Sequence, residues 1–326
     1  MEYKHIPVML EEVIEMLNPK PGQKFVDCTL GGGGYSKAIL EKIGEEGKIL
    51  AIDLDGSAIA NAKLKFKTEL KNIYPRMGEN IILAHENFKN LQIIIEKYFT
   101  ADTKFDGVVL DLGLSSAQLE DRHRGFSFNI PLAPLGMNFG EQIGETAENI
   151  INSWSAEDLA KIFKDYGEEK FAYKIALAIV SERQLSRIVT TGKLVEIIVR
   201  IIPRRFQQAK IHPATKIFQA LRIAVNQELE NLQAVLPQAV SLLKPGGKLV
   251  VISYHSLEDR IVKQYFKQES KDCLCPPAMP ICQCGHKASL KILTYPILRP
   301  TEEEVLKNPR SRSAKLRAIE KINPIK

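Results

Sequence analysis

Apolar residues over the first third of the chain fall into short continuous runs. Phe25-Val26, Ile49 to Ile52 and Ile81 to Ala84 are each bounded by turn residues or charges, and Phe105 to Leu110 is apolar but for Asp106 and Gly107. Runs of that length without polar alternation predict strands buried on both faces, as in a parallel sheet. Between them, apolar residues recur at helical spacing over Leu10 to Leu17, Ser36 to Ile43, Ser57 to Leu70 and Leu91 to Phe99. Asn18-Pro19 stops the first of these helices, and Ser57 suits the N-cap of the third. Alternating strands and helices predict a doubly wound α/β domain. A fifth strand, Lys248 to Ser253, follows the turn Lys244-Pro245-Gly246-Gly247.

Between Asp111 and Lys248 lie 136 residues. A crossover between parallel strands needs a dozen or more, usually one helix. The excess predicts an inserted domain, and its pattern is helical: Thr146 to Trp154, Ser155 to Tyr166, Glu168 to Arg183 and Lys193 to Ile202. Ser155 and Asp158 form a capping-box pattern, and Pro203 stops the last of these helices. Pro213 starts a long helix, Ala214 to Leu232, leading back to the main domain. The expected division is 1–119 with 213–326 for the α/β domain and 120–212 for the helical insert.

At 326 residues, 44% hydrophobic and 26% charged, the chain can bury a sizeable core as one large or two modest domains. No apolar run approaches the ~20 residues of a membrane span. Acids interrupt the amino-terminal apolar run, which argues against a signal peptide. Cytoplasm is the default compartment, and five cysteines fit a reducing one. The net charge of +6 lies wholly between Gly285 and Lys326, where ten Lys/Arg face four Asp/Glu. A basic tail on a neutral body suggests a polyanion, most simply nucleic acid; a solvated tail is the plain alternative. Arg204, Arg205 and Lys210 add a basic stretch within the insert.

Candidate chemistry is densest between Lys24 and Asp53, which reads as strand, glycine turn, helix, strand. Asp27 closes the first strand, Gly31 to Gly34 follow, and Asp53 ends the second. Glycine lets a ligand approach bare peptide, and an acid at the end of the second strand suits the hydroxyls of a ribose. The dinucleotide fingerprint G-x-G-x-x-G is incomplete, since its third glycine falls on Ser36 or Lys37. That speaks against a nicotinamide-dependent oxidoreductase. Asp27-x-Thr29 ahead of the glycines instead resembles motif I of the S-adenosylmethionine (SAM) methyltransferases. Beyond the third strand, Phe88 is placed to stack on adenine and His85 reads as a rim residue. Asp111 closes the fourth strand, where ligands bind in such sheets.

Longer motifs extend the likeness over nearly the whole chain. They include His5-x-Pro7-Val8, Ala51-Ile52-Asp53, Leu110-Asp111-Leu112-Gly113-x-Ser115-Ser116-x-Gln118 and Arg124-Gly125-Phe126-Ser127-Phe128. Tyr166-Gly167-Glu168-Glu169, His212-Pro213-Ala214-Thr215, Phe218 to Asn226, His255 to Arg260 and Asn308 to Arg317 follow in order. Together they resemble the bacterial small-subunit ribosomal RNA methyltransferase H family, which makes N4-methylcytosine in the decoding region of 16S rRNA. The resemblance implies a Rossmann-like SAM-dependent methyltransferase sheet with an inserted all-helical domain that serves the rRNA substrate. It implies SAM contacts at Gly33, Gly34, Tyr35, Asp53, Phe88, Asp111 and Gln118. It also implies 16S rRNA, within the small ribosomal subunit, as partner; a homodimer is compatible with the insert.

Asp111 is the candidate catalytic acceptor for the N4 amine, with SAM binding alone as its competing role. Tyr254 and Phe126 are candidates to stack on an extruded cytosine, against the plainer role of core aromatics. His255 reads as a shaper of the loop after the fifth strand rather than a base; Asn226 and Glu228 carry the same ambiguity. Two departures from the family stand out: Tyr35 replaces a usual His, and Gly136 to Gly140 replaces a usual Asp-Met-Arg-Met-Asp. The second bears on target placement, rate and activity itself. Cys273-x-Cys275 and Cys282-x-Cys284, near His286, could hold zinc tetrahedrally. Their C-x-C spacing is tighter than the usual C-x-x-C, and free thiols in a substrate-facing loop are the alternative. Competing functions are a SAM-binding ribosome-assembly or RNA-binding factor, and a methyltransferase acting on another nucleic acid.

Overall fold

The computed structural model describes residues 7–69, 80–140, 144–207, 212–276, 279 and 281–323. His5 of the amino-terminal motif, Leu70 of the third expected helix and Lys210 of the basic stretch lie outside the described residues. The chain divides into two compact units, residues 1–113 with 229–326 and residues 114–228.

The first unit opens with helix α1 (Leu10–Leu17) and continues β1 (Lys24–Asp27), α2 (Gly34–Ile43), β2 (Lys48–Asp53), α3 (Gly56–Glu69), β3 (Ile81–His85), α4 (Leu91–Tyr98) and β4 (Phe105–Asp111). The second unit holds α5 (Ser116–Glu120), α6 (Ala147–Ser153), α7 (Ala156–Asp165), α8 (Ala172–Leu185), α9 (Thr191–Ile201), α10 (Arg204–Gln207) and α11 (Ala214–Asn226). The chain then returns through α12 (Glu228–Leu242), β5 (Leu243–Ser253), α13 (Ser256–Glu269), β6 (Leu290–Ile292), α14 (Glu302–Lys307) and β7 (Lys315–Lys321).

Seven strands form one sheet in the order β3-β2-β1-β4-β5-β7-β6. The pairs among β1 to β5 are parallel, and β7 runs antiparallel to both β5 and β6. Each central strand sends alternate residues to opposite faces. Val26, Leu50, Leu110 and Val251 pack with α4, α12 and α13 through Leu91, Ile95, Leu236 and Phe266. Phe25, Ile49, Val109 and Val250 pack with α1, α2 and α3 through Val13, Leu17, Ile39 and Phe66. Full burial of such a side chain stabilises by roughly 1.5–3 kcal/mol. The turn expected at Lys244 to Gly247 is a bulge within β5: pairing with β4 slips between Phe105↔Leu243 and Gly107↔Lys248.

The helical unit has its own core, in which Phe126, Leu135, Ile150, Phe163, Ile175, Ile197 and Phe218 are buried. Thr146, Ser155 and Thr190 cap α6, α7 and α9 by accepting the backbone N–H three residues on. This unit is wider than the expected 120–212 insert. The expected continuous helix from Ala214 to Leu232 is broken at Gln227, which adopts a left-handed φ of 50°. Its first half, α11, buries Ala214, Ile217, Phe218 and Leu221 in the insert's core. No glycine or proline marks the break, so the usual stop signals are missing.

Candidate active site

The winding of the sheet reverses between β1 and β4, and in open α/β sheets ligands bind at the carboxyl ends of the strands flanking such a reversal. Four acids lie along that edge. Asp27 ends β1, Asp53 ends β2, Asp111 ends β4, and Asp55 follows β2.

The glycine turn is built from its neighbours. Gly33 has φ 74° at the N-cap of α2, a conformation that favours glycine. A Cβ on Gly34 would sit 2.0 Å from Pro7 Cγ, so the amino-terminal segment closes directly over the turn. Asp27 is fully buried and accepts from Ser36 Oγ (2.7 Å) and the Thr29 amide (3.1 Å). Burial pushes its carboxyl up to about 6. It holds the turn together from within. Asp53 accepts from the amides of Gly31 (2.7 Å) and Asp55 (2.8 Å), one on each oxygen. A carboxylate offers about four acceptor sites, so two backbone bonds leave capacity for ribose hydroxyls. Burial raises its pKa above the ordinary value, against those two amides.

Asp111 is held more elaborately. Its amide donates to Thr29 Oγ1 (2.7 Å), tying β4 to the glycine turn. Tyr254, just past β5, donates its hydroxyl to Asp111 Oδ1 (2.8 Å). Tyr35, in the first turn of α2, places its hydroxyl 3.3 Å from Asp111 Oδ2 and 2.6 Å from the Val8 carbonyl. A phenol has one hydrogen, and the shorter contact to Val8 claims it. The longer contact leaves Tyr35 the weaker of the two hydroxyl partners of Asp111. The carboxyl is pushed up to about 7, chiefly by burial, with the tyrosine bonds pulling the other way. Some surface of Asp111 stays exposed, but its carboxyl lies deep among protein atoms, which is the stronger influence.

The other expected residues divide. Phe88 opens a short 3₁₀ turn beyond β3 and is half-buried against the core, while His85 is exposed and bonds the Leu54 carbonyl through Nε2 (3.0 Å). Gln118 belongs to the helical unit. It closes a capping box with Ser115, whose amide donates to Gln118 Oε1 (3.0 Å). Phe126 is 5% exposed and stacks on Phe139 at 5.6 Å, so the expectation that it stacks on a base is corrected to a core role. Tyr254 donates its hydroxyl to Asp111, a contact the sequence did not assign to it. His255 caps α13 through a capping box with Glu258, a loop-shaping role. Asn226 clasps the departing segment, donating to the Met137 carbonyl (2.7 Å) and accepting from the Phe139 amide (2.8 Å). Glu228 takes Arg222 bidentately at 2.7 and 2.9 Å. Thr29 and the Val8 carbonyl are the residues that sequence reasoning missed; the only signal was their place inside the quoted motifs.

A parallel sheet that reverses its winding between β1 and β4, with its acids gathered at the reversal, is the frame of a Rossmann-like methyltransferase. This chain belongs to the MraW methylase family, a model of which matches residues 2–322. A protein named Ribosomal RNA small subunit methyltransferase H from Thermomicrobium roseum is 49% identical over 318 residues, covering 98% of this chain and 94% of that protein. Its namesake from Clostridium botulinum (strain Loch Maree) is 48% identical over 322 residues, covering 99% and 100%. Among solved structures, a putative rRNA-methylase from Clostridium thermocellum aligns over 98% of this chain and 100% of its own, at 15% identity and a TM-score of 0.44. Among the described residues, no helix is long and apolar enough to cross a membrane.

Proposed function

We propose that this protein transfers a methyl group from SAM to the N4 amine of a cytidine in the decoding region of 16S rRNA, acting on the small ribosomal subunit. The coarser statement, SAM-dependent methylation of ribosomal RNA, rests on family membership and on relatives of about the same length. The N4 and decoding-region assignments are supported by the motif resemblance. The observation that carries the chemistry is Asp111, at the carboxyl end of β4 with its Oδ atoms aligned by two tyrosines.

The N4 lone pair of cytosine is delocalised into the ring, so the amine is a poor nucleophile. Attack requires that nitrogen to become tetrahedral. An acceptor aimed at one N–H favours that geometry and stabilises the positive charge that develops. Asp111 is that acceptor when ionised, and Tyr254 fixes its rotamer. Bound SAM supplies the electrophilic methyl. Asp53 and the glycine turn would hold the cofactor's nucleoside end, and positioning the two reactants together would supply much of the acceleration. A strong base is unnecessary before transfer, because the amine becomes acidic as it gains the methyl.

The test is nucleoside mass spectrometry on small subunits lacking the modification, after incubation with protein and SAM. New N4-methylcytidine, absent with Asp111→Ala, is the expected result. Intact SAM binding without methylcytidine would overturn the reading in favour of an assembly factor or another target.

A further inference from the structure

The loop joining α13 to β6, residues 270–289, has no regular secondary structure among its described residues. Loops longer than about 12–15 residues without structure of their own are uncommon in compact domains. Its base is tied down: Ser289 donates its amide to the Glu269 carbonyl (2.9 Å), and Ala288 donates to Asp272 Oδ1 (3.3 Å). Among its described residues the tip has no apolar core, since Leu274 and Ile281 are 40% and 74% exposed. What the tip has instead is sulfur.

The Sγ atoms of Cys273, Cys275, Cys282 and Cys284 all lie within 4.8 Å of one another. Cys273–Cys282, Cys282–Cys284 and Cys284–Cys273 measure 3.4, 3.6 and 3.8 Å. No disulfide joins any two of them. A tetrahedral zinc with Zn–S of about 2.3 Å has sulfur–sulfur edges of about 3.8 Å. Backbone amides are aimed at the sulfurs, two of them across the two arms and one within the first. Leu274 donates to Cys284 Sγ (3.3 Å), Gln283 to Cys275 Sγ (3.4 Å), and Cys275 to Cys273 Sγ (3.4 Å). A thiol is a weak acceptor; thiolates bound to metal take such second-layer bonds routinely. Three of the four cysteines are exposed, so hydrophobic packing does not explain their gathering.

We infer that Cys273, Cys275, Cys282 and Cys284 bind one structural Zn²⁺ that replaces the missing core of this loop. Four protein ligands close the coordination sphere, so the ion takes no part in methyl transfer. The tight C-x-C spacing is accommodated because the two arms face each other, each supplying two sulfurs.

The full-length protein, purified without chelator, is to be assayed for zinc by elemental analysis. About one ion per chain is expected, released in step with modification of four thiols by a mercurial, with the buried Cys28 unreactive in the native state. Cys273→Ser/Cys284→Ser should abolish zinc uptake while SAM binding persists. Substitution by Co²⁺ in the wild type should give the absorption of a tetrahedral thiolate site. Fewer than about half an ion per chain, zinc retained by the double variant, or disulfides among the four cysteines would each overturn the assignment. Should the double variant fail to fold, the thiol-linked release from the wild type decides alone.

Discussion

At the scale of single residues, the carboxyl of Asp111 carries the sharpest expectations. Asp111→Ala should lower methyl transfer by about 10²–10³-fold, the usual loss when one preorganised polar partner of the transition state is removed. As the proposed acceptor, Asp111 works in its ionised form, and burial holds its pKa at about 7, so the rate should rise with pH through that value. Tyr254 donates to the ionised form and so lowers that pKa. Tyr254→Phe should therefore move the midpoint of the pH–rate curve upward, which a purely structural role would not do. Stability carries the opposite sign. The folded pKa of Asp111 stands above its ordinary 3.8, so its contribution is full below about 4 and fades as pH rises through about 7. Asp27, raised to about 6, adds in the same direction. In thermal scans of the cofactor-free protein, Asp111→Asn should gain on the wild type between those limits; a constant difference would contradict the assignment.

The placement of Asp53 and Asp111 at the carboxyl ends of their strands was legible in the sequence, because each closes an apolar run; their ligand roles remain proposals. Gln118 was singled out only through resemblance. Tyr254 could be named but not given its role, since its partner lies 143 residues away along the chain.

At the scale of elements, the glycine turn and the break at Gln227 behave oppositely. Gly34→Ala puts a methyl 2.0 Å from Pro7 Cγ and should destabilise by about 1–3 kcal/mol, as overpacking does. Adding Pro7→Ala should recover part of that loss in a double-mutant cycle on denaturant midpoints. Gln227 holds φ 50° without being glycine. Gln227→Gly should stabilise by about 1 kcal/mol, since the left-handed conformation costs an L-residue about 1–2. The turn was visible in the sequence as a glycine run. The break was not, because Asn226 beside it is held by Met137 and Phe139, 89 and 87 residues away along the chain, rather than by a local stop signal. Several family motifs are likewise architectural. His212 Nδ1 accepts from the Ala214 amide at the start of α11 (3.1 Å), and Gly167 lies where a Cβ would meet the Lys216 carbonyl at 2.7 Å.

At the scale of the whole chain, the basic tail is less available than its charge suggests. Lys315 and Arg317 both bind Asp259 of α13, at 3.1 and 2.7 Å. Burial pulls Asp259 up, but these two cations outweigh it and hold its carboxyl below the ordinary range. Arg317→Ala should cost about 1–2 kcal/mol, discounted from the value of a fully buried pair for partial exposure. It should leave the salt dependence of RNA binding nearly unchanged, a measurement that separates a folding cation from a phosphate-binding one. Net charge along the sequence revealed a basic segment but not that part of it is committed internally.

The place of β7 has a consequence for how the sheet comes into being. Last of the seven strands to be synthesised, it nevertheless lies between β5 and β6. Until it arrives, β5 presents an open row of amides and carbonyls, and β6 has no neighbour to pair with. The sheet is thus completed from the inside outward by the final segment. A nascent chain halted before Lys315 would carry a sticky margin that β7 covers in the folded sheet, so its early life depends on how quickly β7 leaves the ribosome.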